Sequence, residues 1–485
     1  MSRIALLSSE PIRQRMAGIG IRYLEFARRL AAAGLETVLL SPATPEESAG
    51  LALPGGELRR NEPGRLAEQL RGCDAAVAQG QWANDLVLAA PGLPAALDLY
   101  DPWLIENLSY LATHGLDPYR NDHASWLLQL SRGDFFLCSS EEQRVFYLGF
   151  LAALGRVNPE LAARDPDLRS LIDVVPFVVP EEPPPHQPYL PPRVPGVRRL
   201  LFGGLYDWYD PWTLLEALTL IDRGRVGAGW VLLLIRNPNP GTPQRLLADV
   251  EAWCRRRGWW GSRVRALDWV PAERRFDLLR DVDLLVAPHR PSLETRLSLR
   301  TRFLDALAAG CPVVTTEGGV MSRLLREHGA GWVVPPGDAP ALARAIVEAL
   351  AAAAPAAGDA APPLAVDQAP PSALDLAPPA AVDLAPPSAV DQAPPSAAWR
   401  QGAAALLAAY RWERALAPLL RFCREPRREL TKERFVNTLV SAAPPDGVGF
   451  RLRRRLRRLV AAMSLPSWPA RAPRSPATDL ERPRR

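Results

Sequence analysis

The sequence lacks the long apolar segments that are typical of membrane-spanning proteins. It also lacks the closely spaced cysteine pairs that are typical of zinc sites. No apolar run approaches the roughly 18 residues that a membrane-spanning helix needs. The opening residues, MSRIALLSSE, turn polar after four apolar residues, which is typical of a first β-strand and not of a secretory signal. The cysteines include no C-x-x-C pair, so we expect reduced thiols, a cytoplasmic protein and no zinc site. They are Cys73, Cys138, Cys254, Cys311 and Cys423.

Lysine is nearly absent as well, and the charge is unevenly distributed. Lys432 is the only lysine among 58 basic residues. Residues 421–485 contain 17 Lys+Arg and 6 Asp+Glu, a net charge of +11, so the remaining 420 residues carry −6 of the total of +5. The body is mildly acidic and only the tail is basic, which argues against nucleic acid as a partner of the body. The arginine bias also means that a single arginine indicates little about function.

Apolar runs and helical periodicity alternate over the first 175 residues. Strands are predicted at 3–8, 36–40, 74–78, 96–99 and 134–138, and helices at 21–33, 64–71, 121–131 and 141–154. Gly34 is suited to end the first helix, because glycine readily adopts the conformation found after a helix C-terminus. This alternation is typical of a doubly wound parallel sheet.

A proline-rich stretch at 176–197 interrupts the alternation, and we predict an extended linker there. Strands are then predicted at 200–202, 230–235, 264–267, 283–287 and 312–315, and helices at 212–222, 243–257, 272–280, 301–309, 320–327 and 339–353. The predicted fold class is therefore α/β, with two facing Rossmann-like doubly wound domains.

Tandem proline-rich octads occupy residues 362–395, from PPLAVDQA onwards. Pro-Pro recurs every eight residues and prevents a long helix, so we predict a semi-rigid insertion. A partner-binding spacer is the alternative. The insertion interrupts a helical region that resumes at Trp399.

Three segments at the predicted carboxyl edges of the sheets could bind an anion. Gly18 and Gly20, in MAGIGIRYL, lie between the first strand and the first helix, where small residues let a phosphate approach backbone N–H groups. Gly203 and Gly204 end the first strand of the second unit in the same manner. Each pair has a simple turn as its alternative, and the first lacks the third glycine of a dinucleotide fingerprint.

The third segment is SLRTRFLDALAAGCPVVTTEGG at 298–319, where a helix begins near Thr301 between two arginines. A helix start presents unpaired N–H groups and a positive dipole end, and the guanidinium groups of Arg300 and Arg302 would strengthen anion binding. Asp305, one turn later, could hydrogen-bond a ribose hydroxyl. The alternative is that all three side chains are solvated surface groups. Together the three segments describe a cleft that binds a diphosphate.

The segment LDALAAGCPVVTTEGG resembles the nucleotide-sugar segment of GT-B glycosyltransferases, especially the retaining family 4 type within the group 1 glycosyl transferases. That pattern is roughly LEAMAxGxPVVxTxxGG. The resemblance covers about residues 3–350 and 398–425, and includes both glycine turns and GWVVPPGDAPALARAI at 331–346. The helix resuming at Trp399 resembles the closing helix that crosses back to the first domain.

The resemblance assigns a role to each predicted segment. The segments are an N-terminal Rossmann-like acceptor-side domain at 1–175, a proline-rich linker at 176–198, a C-terminal Rossmann-like nucleotide-sugar domain at 199–354, the octad insertion at 355–397, closing helices at 398–426 and a basic tail at 427–485.

Only some of the donor-site residues of the family pattern have counterparts in this sequence. Asp305 falls where the second glutamate of the family's E-x7-E binds ribose, and it keeps the carboxylate on a shorter side chain. The first glutamate is replaced by Leu297, so Glu294 is the nearest acid that could recognise the sugar. Trp269 and Val270 fall where backbone groups meet the base.

The family's basic pair after the second glycine turn is absent. Tyr206, Asp207, Trp208 and Tyr209 stand there instead. We predict that Arg300 and Arg302, or Arg236 in LLLIRNPNPG, supply the missing positive charge.

Acceptor-side residues are fewer. Asp101, in LDLYDPWLIENL, aligns loosely with the family's His-Asp region, and we predict Asp101 and Glu294 as the catalytic residues. His114 and His123 follow this loop and either face the sugar or are solvated. His289 ends a second-domain strand and borders the same cleft or lies in the core.

These features predict an enzyme, a hexosyltransferase-like glycosyltransferase. It would transfer a sugar from a nucleotide-sugar donor to a glycan or lipid-linked acceptor, with retention, in cell-surface polysaccharide or glycolipid synthesis. No cofactor is expected beyond the donor substrate, and cations would stabilise the leaving diphosphate without a required metal. The alternatives are a sugar-nucleotide epimerase on the same fold and a non-catalytic nucleotide-sugar-binding scaffold, which Leu297 favours.

The basic tail predicts peripheral contact with an anionic membrane at its inner face. FRLRRRLRRLV at 450–460 places its apolar residues largely on one helical face, with six arginines around them. A solvated tail that reflects the arginine bias is one alternative. Nucleic acid is another, although no aromatic stacking platform accompanies the charge.

Overall fold

Two parallel sheets, each flanked by helices, make up the part of the protein that the structure describes. The computed structural model describes residues 2–62, 64–111, 115–180, 182–206, 208–224, 229–236, 245–353 and 398–436. The octads, the tail beyond residue 436, Asp207 and His114 therefore lie outside the described residues.

The first sheet has seven parallel strands in the order β3-β2-β1-β4-β5-β6-β7. The strands are Arg3–Leu7 (β1), Glu36–Ser41 (β2), Gly56–Arg60 (β3), Ala75–Ala78 (β4), Ala95–Asp98 (β5), Phe135–Cys138 (β6) and Ile172–Val174 (β7). The helices of this domain are Gly18–Ala32 (α1), Leu66–Gln69 (α2), Gln81–Ala89 (α3), Trp103–Glu106 (α4), Asp117–Arg132 (α5), Glu141–Ala153 (α6) and Pro159–Arg164 (α7), with a 3-10 turn at Asn107–Tyr110.

The second sheet has six parallel strands in the order β10-β9-β8-β11-β12-β13. They are Val197–Gly204 (β8), Gly229–Ile235 (β9), Val264–Leu267 (β10), Leu284–Ala287 (β11), Val313–Thr316 (β12) and Trp332–Val334 (β13). The helices are Pro211–Arg223 (α8), Arg245–Arg256 (α9), Arg275–Asp281 (α10), Leu293–Leu297 (α11), Thr301–Ala308 (α12), Val320–His328 (α13) and Ala339–Ala353 (α14), with a 3-10 turn at Ala272–Arg274.

Both sheets reverse their strand order at the first strand of the domain. β1 lies between β2 and β4, and β8 lies between β9 and β11. Ligands of doubly wound sheets bind outside the carboxyl ends of the strands at such a reversal. The ends of β1 and β8 are therefore the expected positions for a site, and the predicted pair of doubly wound α/β domains is confirmed.

The linker between the domains runs along the second one, held by two carboxylates. Asp281 accepts hydrogen bonds from the backbone N–H groups of Tyr189 (2.6 Å) and Leu190 (2.7 Å) and from the His186 ring (2.9 Å). Asp277 accepts one from the N–H of Gln187 (2.9 Å). These side chains satisfy backbone groups that the extended linker cannot pair within itself.

After the second domain the chain crosses back to the first. The closing helices are Ala398–Leu407 (α15), Trp412–Ala415 (α16), Ala417–Arg424 (α17) and Lys432–Phe435 (α18), with a 3-10 turn at Ala408–Tyr410. Trp399 is fully buried in the second-domain core, whereas Leu419 and Cys423 are buried in the first-domain core. In the described ranges, no helix has both the length and the apolarity needed to cross a membrane.

Candidate active site

A cavity of about 600 Å³ lies between the two domains, next to the ends of β1 and β8. Ten of the predicted site residues line it: Gly18, Asp101, Gly203, Gly204, Trp269, Val270, Arg300, Thr301, Arg302 and Asp305. Gly20, Arg236 and Glu294 are absent from its lining. The lining also contains Glu106 and Arg275, which the sequence did not single out.

The glycine turn after β8 makes room for an arginine. Gly203 has a φ of +91°, and a Cβ built on it would lie 2.5 Å from Nη1 of Arg302. Any other residue would be strained there and would displace the guanidinium group. Glycine at position 203 therefore leaves room for the Arg302 guanidinium group and also leaves its own backbone accessible to a ligand.

Arg302 is held by neutral groups. Its Nη1 donates hydrogen bonds to the carbonyl oxygens of Phe202 (3.1 Å) and Gly204 (3.4 Å). Its guanidinium carbon lies 4.8 Å from the centre of the Tyr209 ring. Among the described residues Arg302 has no carboxylate partner, so its charge is available to an anionic ligand in the cavity.

Arg300, the residue that precedes α12, is paired differently. Its Nη2 bonds to Oε2 of Glu294 at 2.6 Å, and both side chains are almost fully buried. Burial alone would lower the pKa of Arg300, but the nearby Tyr209 and Glu294 raise it overall. The structure thus differs from the prediction for Glu294, which contacts Arg300 instead of lining the cavity, while its Oε1 has no hydrogen-bond partner.

The start of α12 lies in the cavity wall between these two arginines. No side chain caps this helix start, and Arg300, Thr301 and Arg302 all line the cavity. A helix start of this kind attracts negative charge. The backbone and Arg302 therefore favour an anion at the same point.

Asp305 is buried in the same wall and pairs with Arg275. Its Oδ2 lies 3.3 Å from Nε of Arg275, whereas Oδ1 has no hydrogen-bond partner. Burial raises the pKa of Asp305, and Arg275 opposes that rise. A buried oxygen that can accept a hydrogen bond suits a ribose hydroxyl. Arg275 was missed because its partner is 30 residues away in the sequence.

The first glycine turn differs from the prediction, since a carboxylate already occupies the start of α1. Glu10 accepts hydrogen bonds from the backbone N–H groups of Ala17 (2.5 Å) and Gly20 (2.6 Å). Burial raises the pKa of Glu10, and these two hydrogen bonds oppose the rise. Gly18 lines the cavity, but the N–H of Gly20 is engaged, so this turn is a poorer phosphate site than predicted.

Two carboxyls from the first domain line the cavity. Burial, together with the charge of Asp98, raises the pKa of Asp101 to about 7. Burial and the charge of Asp101 also raise the pKa of Glu106, to which the hydroxyl of Ser298 donates at 3.5 Å. These carboxyls titrate as an interacting group and not independently. Glu106 follows Asp101 by five residues, so its closeness in sequence to a predicted catalytic residue could have indicated that it belongs to the same site.

Other predicted residues have structural contacts. Trp269 lines the cavity while its Nε1 donates to the carbonyl of Met16 at 3.1 Å, which joins the two domains. Arg236 is 49% exposed and lies 3.9 Å from Asp268. Arg236 lies outside the cavity lining, and its predicted role as a replacement for the family's basic pair stays a prediction.

None of the histidines in the described part of the chain lines the cavity. His289 is buried, with its ring centre 4.7 Å from that of Tyr209, and its Nε2 has no hydrogen-bond partner. Burial lowers its pKa, and the charges of Arg300 and Arg302 lower it further, so the ring is neutral. His123 is exposed on α5. No cluster of three or more His, Cys, Asp or Glu residues suited to a metal occurs in the described ranges.

Comparison with known proteins finds a family match in the second domain. The family model of group 1 glycosyl transferases matches residues 198–352. The amylovoran biosynthesis glycosyltransferase AmsK of Erwinia amylovora is 27% identical over 85 residues, which are 17% of this chain and 21% of that protein. The chain thus matches about a fifth of the length of this curated relative.

Similar solved structures extend over both domains. A sucrose-phosphate synthase from Thermosynechococcus elongatus is 15% identical with a TM-score of 0.55, and the match covers 87% of this chain and 98% of that one. A glycosyltransferase from Rickettsia africae is 12% identical with a TM-score of 0.53, at the same coverages of 87% and 98%. At these identities the likeness shows the fold alone. The resemblance predicted from the sequence is thereby confirmed: the chain has the GT-B fold, and its second domain matches the group 1 glycosyl transferases.

Proposed function

We propose that the chain is a glycosyltransferase, which transfers a sugar from a nucleoside-diphosphate sugar to a glycan or lipid-linked acceptor. The observation that supports this most is the division of charge in the cavity. The second-domain wall contains Arg275, Arg300, Arg302 and an uncapped helix start, with Asp305 as its one described carboxylate, whereas the charged residues of the described first-domain wall are Asp101 and Glu106. One wall suits a diphosphate and the opposite wall suits a hydroxyl-bearing acceptor.

The donor would lie along the second domain. Its diphosphate would occupy the space between Gly203, Gly204 and the start of α12, and Asp305 would accept a hydrogen bond from the ribose. Arg302 would stabilise the charge that develops on the leaving nucleoside diphosphate, since a preorganised cation in a water-poor site acts strongly on a developing charge. Arg300 would contribute less, because Glu294 already neutralises it.

The acceptor would lie against the first domain. Asp101 or Glu106, when ionised, would accept a hydrogen bond from the reacting hydroxyl and orient it. The bond between the sugar and the donor phosphate breaks, the acceptor oxygen bonds to the same carbon, and its proton passes to the leaving phosphate oxygen. Retention follows from the resemblance to family 4, in which attack comes from the face of the leaving group, and it requires neither a protein nucleophile nor a metal.

Turnover of nucleotide-sugars tests this proposal. Thermal shift with a panel of UDP-, GDP- and ADP-sugars identifies the donor. Release of nucleoside diphosphate is then measured with and without glycan and lipid-linked acceptors. Acceptor-dependent release and a glycosylated product are expected. Binding without any turnover would instead favour the non-catalytic scaffold.

A sugar-nucleotide epimerase is the second candidate, because Asp101 and Glu106 provide two carboxyls of raised pKa in the cavity. Such an enzyme needs acid and base groups beside the sugar. NMR of the donor incubated without an acceptor separates the two reactions. A new sugar epimer would support the epimerase, and an unchanged donor that reacts only with acceptor would support the transferase.

We further propose a role in cell-surface polysaccharide or glycolipid synthesis by a cytoplasmic protein that docks on the inner face of the membrane. The basic tail supports this, since arginines around an apolar face favour anionic lipid. Sedimentation at low salt checks it with anionic and neutral vesicles. The full chain should pellet with anionic vesicles, whereas a chain ending at Pro426 should not. Equal behaviour of both proteins would refute the docking role.

A further inference from the structure

Tyr209 occupies the loop between β8 and α8, where the resemblance implies basic residues. Its side chain is 2% exposed, and its backbone N–H donates to the carbonyl of Tyr206 at 2.9 Å. An isolated antiparallel bridge to His289 fixes the loop against the end of β11. The ring is therefore held firmly at the cavity wall, which it also lines.

The ring of Tyr209 contacts both arginines of the α12 start. Its centre lies 4.8 Å from the guanidinium carbon of Arg302 and 5.5 Å from that of Arg300. The negative face of an aromatic ring attracts a cation, and this attraction is strongest where water is excluded. Arg300 is almost fully buried, so little water surrounds its guanidinium group. The attraction to the ring is therefore expected to be strong at this position.

The other neighbours of the ring are compatible with two cations. The Phe202 ring meets Tyr209 edge to face at 5.4 Å, and the His289 ring lies 4.7 Å away. A charged imidazole there would repel both guanidinium groups. His289 instead remains neutral because of its burial and because of the two arginines themselves.

We propose that Tyr209 is a positioning residue that holds the guanidinium groups of Arg300 and Arg302 together at the start of α12, as one anion-binding pair. Like charges repel, and neither the Glu294 contact of Arg300 nor the carbonyl contacts of Arg302 join the two guanidinium groups to each other. The Tyr209 ring contacts both of them. In this chain an aromatic ring with two arginines at the start of α12 would replace the loop cations that the resemblance implies. The inference rests on the proposed function, since the anion is the donor diphosphate.

Isothermal titration with UDP, GDP and inorganic pyrophosphate tests the role of the ring. Pyrophosphate probes the anion site without base or ribose. Tyr209→Leu removes the ring and should weaken binding of pyrophosphate and of the nucleotide that binds by about 30-fold. Tyr209→Phe keeps the ring and removes only the hydroxyl, so its affinity should remain within about threefold of the unchanged protein.

Phe303→Leu serves as the matched control for loss of a buried ring. Phe303 is buried and contacts His289 at 6.0 Å between ring centres, and no guanidinium contact to its ring is found in the described residues. The Phe303→Leu variant should lose thermal stability but retain its affinity for pyrophosphate. Equal affinities for Tyr209→Leu and the unchanged protein would overturn the inference, and so would equal losses in Tyr209→Leu and Tyr209→Phe. If the unchanged protein binds none of the three probes, the proposed function itself fails.

Discussion

Replacing Arg302 by Ala tests the central contact of the proposed donor site. Arg302 lines the cavity at the start of α12 and is oriented by two backbone carbonyls and the Tyr209 ring. Because these partners are neutral, the substitution removes a positive charge without leaving a buried carboxylate unpaired. Loss of affinity can therefore be attributed to the missing guanidinium group.

The size of the effect follows from the hydrogen bonds that a guanidinium group forms with phosphate. A hydrogen bond to a charged group contributes about 1.5–3 kcal/mol. The dissociation constant of the nucleoside diphosphate should therefore rise about 10- to 150-fold in Arg302→Ala. Arg302→Lys should give a smaller loss, since lysine keeps the charge but cannot form the forked contact.

Arg300→Ala is expected to act differently, because it leaves Glu294 buried without its partner. Breaking a buried pair in this manner costs about 3–5 kcal/mol of stability. The double variant Arg300→Ala/Glu294→Gln removes that penalty. Its diphosphate affinity then reports the net contribution of the Arg300–Glu294 pair, which should be smaller than that of Arg302.

Isothermal titration with the nucleoside diphosphate is the assay, and Arg236→Ala is the matched control. Arg236 is the same residue type but is 49% exposed and outside the cavity lining, so its removal should leave affinity unchanged. Thermal unfolding of each variant separates loss of binding from loss of structure. An unchanged dissociation constant in Arg302→Ala and in the double variant would refute the anion site at the α12 start.

Three other substitutions or deletions have defined outcomes. Gly203→Ala should weaken diphosphate binding in titrations, because the new Cβ would lie 2.5 Å from Arg302 Nη1; unchanged affinity would contradict this. Burial raises the pKa of Asp101 to about 7. Between about pH 4 and pH 7 the carboxyl therefore keeps its proton in the folded protein and has lost it in the unfolded chain. Its contribution to stability falls as pH rises from about 4 to 7, and Asp101→Asn should flatten that dependence in urea unfolding at several pH values; an unaltered dependence would count against it. Deleting 362–395 should leave donor turnover within a few-fold, because a long insertion adds little closure cost; a collapse of turnover with the fold intact would show a catalytic role.

Much of the fold could be predicted because the central strands are short apolar runs. β1, β2 and β9 are bounded by clear turn signals and lie within two residues of their predicted limits. β3 was missed because Gly56–Arg60 is polar and only partly buried. β7 was missed because it has three residues, and β13 for the same reason. These strands are stabilised by pairing with neighbouring strands, and this pairing cannot be predicted from their local sequence.

The site could be predicted only where its chemistry is local in sequence. The glycine turn of β8 and the start of α12 each appear as a motif, and both line the cavity. Glu10 was missed because its effect is to occupy the N–H groups of a helix that begins eight residues later. Arg275 and Glu106 line one cavity only because the two domains come together.

In a chain with one lysine among 58 basic residues, the arginine that we propose binds the donor is distinguished by its surroundings and not by its type. Arg275, Arg300 and Arg302 all line the cavity, but the first two already have carboxylate partners, Asp305 and Glu294. A guanidinium group that is paired with a carboxylate attracts a diphosphate less strongly than one held by carbonyls and a ring, because the carboxylate offsets part of its charge. We therefore expect a helix arginine to be able to replace the family's loop cations, provided that the residues around it orient the charge without neutralising it.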